Sequence, residues 1–231
     1  MKRFFKGFTL AEVLITLGVI GIVAAVTLPT LNVDVNKQAL STQLQKNISQ
    51  YTNAFAVYMQ NEGLTELDSN FYTTANLRNF ARTSLKARYI CNDDDTNCFA
   101  DNYTFINGGN GRVPNMHTFA GGDNTIGGIL EDGTHFGIRT LGNARNPLYV
   151  LGLDVNGKKG PNTAGYDLFI IPINPDGSFG RSRDDIFDDS IDVQADIDGK
   201  FEACKRGTDA NRLYGYGCFL HLQQNNFRYN Y

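Results

Sequence analysis

Between Phe8 and Leu28 the chain is an almost unbroken run of Leu, Ile, Val, Ala and Gly, with Glu12 as its only ionisable side chain. As an α-helix these residues would extend about 32 Å, which matches a hydrocarbon core of about 30 Å. After Asn32 the pattern becomes periodic. Leu40, Leu44, Ile48, Tyr51, Phe55 and Tyr58 recur at spacings of three and four, with Met59 alongside. Lys37, Ser41, Gln45, Ser49, Asn53 and Gln60 occupy the opposite positions. This spacing predicts an amphipathic helix whose apolar stripe packs on a folded head. Gly63 is a fitting residue just past its end. Pro29 has no N–H to donate and crowds the preceding turn, so a kink is expected there.

Farther along, the apolar runs shorten. Leu77, Phe80, Ala81 and Leu85 suggest a short helix within 76–89. Thr125 to Leu130 and Thr134 to Thr140 read as strands, joined through Asp132-Gly133 by a hairpin turn of type I′. Tyr149 to Val155 and Tyr166 to Ile173 read as two more, separated by "NGKKGPNTAG". The tail from Cys218, "CFLHLQQNNFRYNY", suggests a last edge strand or a contact surface. The expected class is α+β, with a long helix, hydrophobic then amphipathic, packed on a small antiparallel β-sheet head.

Composition narrows this picture. A chain of 231 residues can bury one good core beside an anchor. Net charge is −3, and loss of Lys2, Arg3 and Lys6 with the first seven residues would lower it to −6. An acidic chain without a basic stripe argues against nucleic acid as a partner. Cys91, Cys98, Cys204 and Cys218 lack the C-x2-C spacing of zinc sites. Four cysteines allow three pairings, and spacing alone does not choose among them. Local pairing, Cys91 with Cys98 and Cys204 with Cys218, is the working expectation, and disulfides place the body outside the cytoplasm.

The apolar segment admits three readings. A secretory signal would be cut near Val23-Ala24-Ala25. A plain signal anchor would keep Lys2, Arg3 and Lys6 on the cytoplasmic side. In both, Glu12 is a cost without a use. The stretch "KGFTLAEVLITLGVIGIVAAVTLP" resembles the prepilin amino terminus of type IV pilins and type II secretion pseudopilins. The resemblance implies a leader 1–7, a transmembrane and polymerisation helix 8–30, an amphipathic helix 31–63 and a β-rich head 64–231. It implies cleavage between Gly7 and Phe8 by a prepilin peptidase, and N-methylation of Phe8. Glu12 becomes the fifth mature residue, the family's acidic position, and Pro29 the twenty-second, where many relatives bend.

The implied partners are the lipid bilayer before assembly, an inner-membrane assembly platform, and other pilin or pseudopilin subunits in a periplasmic or extracellular filament. The new amine of Phe8 in one subunit can meet Glu12 of a neighbour, turning two costly charges into one pair. A carboxy-terminal loop closed by Cys204 and Cys218 would match many type IV pilins. The implied role is a structural subunit. The alternatives are a minor or tip subunit that adheres to a surface or DNA, and a membrane-anchored extracellular enzyme.

Chemistry-bearing residues are sparse. His117, His135 and His221 show no metal spacing, and no nucleophile, P-loop or zinc-protease motif occurs, so no catalysis is expected. "LDVNGKKGPNTAGYDLF" looks like a stretch met in many pilin-like heads, usually without an assigned role. Asp154, Asn156, Asn162 and Asp167 supply oxygens around a Gly-rich turn, and some pseudopilins hold calcium in their heads. Lys158 and Lys159 oppose that reading. The alternative is a turn in which Asp154 and Asp167 cap backbone N–H groups without metal. Seven Asp between 184 and 198 read as a solvated loop, or as a cation site or subunit contact.

Overall fold

The computed structural model describes residues 9–92, 95, 98–106, 124–143, 146–180 and 218–229, without the side chains at 26–35, 105, 141–143 and 146–148. The chain divides into two units, Met1–Ala39 and Leu40–Tyr231. Helix α1, Leu10–Glu62, begins in the first and ends in the second. The kink expected at Pro29 falls on a side chain outside the described set.

In the first unit the described large apolar side chains of α1, from Leu10 to Val23, face solvent, with exposure from 42% at Val13 to 78% at Leu10. In the second unit the stripe is covered. Leu44, Tyr51 and Phe55 are fully buried, Leu40 and Tyr58 nearly so, and Ile48 and Met59 are half-buried against the same cluster. Gly63 ends the helix at a φ of 66°, with its N–H on the Gln60 carbonyl and the Leu64 N–H on that of Met59. These two bonds are a Schellman cap, the stop that Gly63 suggests. Ser41 departs from the expected polar face. It is buried, and its hydroxyl donates to the Phe227 carbonyl.

Helix α2, Thr74–Thr83, starts where the Thr73 hydroxyl accepts the Asn76 N–H, and it buries Leu77, Phe80 and Ala81. The strands are β1 (Tyr89–Ile90), β2 (Thr104–Phe105), β3 (Thr125–Ile129), β4 (His135–Asn143), β5 (Asn146–Asp154), β6 (Thr163–Ala164) and β7 (Leu168–Pro172). They form one sheet in the order β1-β3-β4-β5-β7-β6-β2. The expected antiparallel sheet is therefore mixed, because β6 pairs in parallel with both β7 and β2. A tight fold of residues 156–167 lays Thr163–Ala164 beside Leu168, which no strand-length pattern reveals.

The β3–β4 hairpin forms as expected, but its turn differs. Of its residues only Gly133 has positive φ (86°), and the Gly133 N–H bonds the Leu130 carbonyl. A type I turn followed by a left-handed Gly replaces the type I′ turn. Asp132 holds this shape by accepting the Thr134 N–H and pairing with Lys46 of α1.

Side chains alternate across the sheet. Phe136, Ile138, Leu151, Leu153, Phe169 and Ile171 join the cluster that contains the α1 stripe. Tyr51 meets Phe136 edge-on at 5.9 Å, and Phe55 stacks on Phe80 at 4.9 Å. Asn47 Nδ2 donates to the Thr134 hydroxyl at 2.8 Å, so the helix also carries polar register. The tail corrects another expectation. Cys218–Gln224 is a helix, α3, with Cys218, Phe219 and Leu222 in the core. The apolar spacing 218, 219, 222 is helical, and the aromatic content of the tail drew attention away from it.

The opposite face of the sheet is buried too. His135, Val150, Asp154, Leu168 and Ile170 lie there by register, with Phe99, Ala100 and Tyr103 among the buried residues.

Candidate functional site

Two stretches hold the residues singled out in the sequence. Gly7 and Phe8 lie outside the described residues, whereas Thr9 and Glu12 are described. The Thr9 hydroxyl oxygen accepts the Glu12 N–H at 3.2 Å. Glu12 Oε2 in turn accepts the Thr9 N–H at 2.8 Å and the Thr9 O–H at 2.9 Å. This reciprocal pair is a capping box, and it places a carboxylate where the N–H ends of the helix favour negative charge. Thr9-x-x-Glu12 carries that signature in the sequence. Treating Glu12 only as a charge in an apolar run passed over it. Thr16, the next polar residue, donates to the Val13 carbonyl at 2.9 Å, so its hydroxyl is satisfied within the helix.

The second stretch is the turn between β5 and β7. Asp167 is buried, and its carboxylate accepts the Asn162 N–H at 2.8 Å and the Thr163 N–H at 2.5 Å. Asn162 has a φ of 52°, and in the amide orientation that satisfies its neighbours it donates to the Gly157 and Lys159 carbonyls. Asn156 Nδ2 donates to the Gly160 carbonyl at 3.3 Å. Asp154, Asn156, Asn162 and Asp167 thus share one turn, and both Asp167 oxygens are engaged with backbone. The geometry is that of a capped turn. Among the described residues no group of three His, Cys, Asp or Glu side chains could hold a metal.

Asp154 is fully buried, and its Oδ2 accepts the Tyr103 hydroxyl at 2.7 Å. Its Oδ1 has no partner of full hydrogen-bond geometry, the nearest help being the Asn156 and Gly157 N–H groups. Burial pushes this carboxyl up to about 8, opposed by the Tyr103 bond and reinforced by the Asp167 charge. Burial also raises Asp167, against its two backbone bonds. Across the strands, Asp154 stands opposite His135. Burial lowers His135 below its ordinary value of 6.5. The Cys98 carbonyl opposes this, and Lys158 and Arg88 push in the same direction as burial.

Sequence reasoning missed Tyr103 and His135 as neighbours of Asp154. Tyr103 is far away along the chain and carries no local signal. His135 would have followed from the β4–β5 register, which fixes it opposite Asp154.

Cys91 and Cys98 are joined, as expected. Cys218 is also disulfide-bonded, while Cys204 and the Asp-rich 184–198 run lie outside the described residues. His117 lies outside them as well, and His221 is buried on α3.

Among the described residues no helix is long and apolar enough to cross a membrane. The described side chains of the apolar run stop at Ala25, short of its end at Leu28. No curated protein and no solved structure matches the chain. Residues 2–28 match the prokaryotic N-terminal methylation motif, the signature of type IV pilins and pseudopilins.

Proposed function

We propose that the chain is a structural, non-catalytic subunit of a type IV pilus or a type II secretion pseudopilus. The carrying observation is the methylation motif over 2–28, which contains Gly7, Phe8 and Glu12. A prepilin peptidase cuts after Gly7, and Phe8 becomes N-methylated. Before assembly the subunit is anchored in the inner membrane with its head outside the cytoplasm. It then leaves the bilayer to join other subunits through α1. The exposed apolar side chains from Leu10 to Val23 suit both settings, since lipid and neighbouring helices are equally apolar. Glu12, held by Thr9 at the helix start, lies close to the point where cleavage creates an amine. The pair formed with a neighbour's Phe8 amine sets the stagger between subunits.

Mass spectrometry of the mature chain tests the processing step. The expected first residue is N-methylated Phe8, and a chain beginning at Val26 would mean a secretory signal instead. The assembly step is tested by Glu12→Ala, which is expected to insert and be cut normally while losing most of the filament that can be sheared from cells. Undiminished filament yield would remove the pairing.

A further inference from the structure

Helix α3 ends in a way that its cap explains only in part. The Phe227 N–H bonds the Leu222 carbonyl, and Asn226 just before it has a φ of 51°. This is the six-to-one bond of a Schellman cap, whose left-handed position Asn tolerates. Phe227 follows with a φ of 58°. The cap calls for no second left-handed residue, and an aromatic side chain enters that region only at a cost. Such a residue persists where its surroundings over-determine it.

The surroundings here are three fastenings on different elements. The Phe227 carbonyl accepts the Ser41 hydroxyl of α1, and Gln45 Nε2 donates to the same Ser41 oxygen at 3.3 Å. The Phe227 ring meets Phe219 of α3 edge-on at 6.2 Å. Two residues on, the Tyr229 hydroxyl donates to the Tyr166 carbonyl at 2.8 Å, and the two rings lie 5.7 Å apart. Ser41 belongs to α1 and Tyr166 to the turn before β7, so residues 225–229 bridge these two elements. Phe227 and Tyr229 are only half-buried against the core cluster, and Arg228 between them is exposed. A segment held by a few bonds more than by burial is one that opens before the rest.

We propose that residues 225–229 form a strap that opens and closes as one unit on a head that stays folded, with Ser41 of α1 as its catch. Closed, it ties α1 to the turn before β7. Open, it frees the Ser41 hydroxyl and the Tyr166 carbonyl together and lets Phe227 leave the left-handed region. The two fastenings are thereby coupled, so drawing Ser41 away from Phe227 also loosens the Tyr166 end. The device belongs to the head and stands whether or not the chain assembles into a filament.

The test is native-state hydrogen exchange of the Phe227 and Arg228 amides, whose N–H groups bond the Leu222 and Asn225 carbonyls. The whole chain in detergent micelles is followed by fragmentation mass spectrometry, over a urea series that ends well below the unfolding transition of the head. Exchange is expected at least about tenfold slower than in a free peptide and indifferent to urea, since opening the strap exposes little surface. Ser41→Ala should speed both amides about fivefold, as loss of one hydrogen bond implies. Tyr229→Phe, which removes the other hydroxyl, should do the same. The proposal is overturned if the two amides exchange at the peptide rate, if their exchange climbs with urea as global unfolding does, or if either variant leaves them unchanged.

Discussion

Before Ala25 helix α1 leaves Leu14, Ile15 and Ile20 more than half exposed, whereas beyond Leu40 it buries Leu44, Tyr51 and Phe55 completely. The residue types are similarly apolar, but their arrangement differs. A run that is apolar on all sides has no face to commit to one partner, so it suits lipid or a surrounding set of identical helices. A stripe at spacings of three and four commits one face to a particular sheet. One helix thus joins a part specified by composition to a part specified by pattern.

The comparison breaks most visibly if a change in one part acts as a change in the other. Phe55→Ala should cost the head about 3–5 kcal/mol in denaturant unfolding, because Phe55 touches Tyr51, Phe71, Phe80 and Phe179. The proposed cleavage after Gly7 should proceed unchanged in the same variant, and a processing defect would mean that the two parts are not separately specified.

A smaller effect sharpens the head's side of the comparison. Folded, Asp154 keeps its proton up to about 8, whereas an unfolded Asp gives it up near 3.8. Its stabilising contribution is complete below the lower value and is lost as pH rises through the upper one. Head stability should fall from about pH 4 to about pH 8, with a slope of up to about 1.4 kcal/mol per pH unit, and level off above that. His135 acts in the opposite direction, but only below its ordinary 6.5. Asp154→Asn keeps an acceptor for Tyr103 and should flatten the slope. An equal slope in that variant would place the titration elsewhere.

The smallest effect concerns the helix start. Thr9→Ala removes the cap and should cost the first turn about 1 kcal/mol. Faster amide exchange confined to that turn is the expected reading, with the head's exchange unaltered.

The sequence made the helical elements legible wherever one face stays apolar over several turns, as in the α1 stripe and its Gly63 stop. The Leu77-to-Ala81 helix and the β3–β4 hairpin were legible for the same reason, since each is defined by residues close along the chain. Pairing of Cys91 with Cys98 was the working expectation among three possible pairings, and the structure bears it out. What escaped was what long-range register decides. Asp154 stands opposite His135 because two strands align, and Tyr103 reaches it from a different part of the sheet. The capping of this turn by Asp167 was expected from the sequence, but the parallel pairing of β6 that the fold-back creates was not. Ser41 escaped because its burial depends on the chain end at Phe227.

The attachment of α1 within the head has a mechanical consequence. A tension applied along the helix meets the Tyr51, Phe55 and Tyr58 rings lodged among Phe71, Phe80, Phe136 and Phe179, so it loads the packing in shear. The polar ties from Lys46 to Asp132 and from Asn47 to Thr134 lie on the same stretch and share that load with the rings. Tension along this stretch of the helix is thus shared by aromatic packing and by polar ties, and none of it falls directly on the strand-to-strand hydrogen bonds.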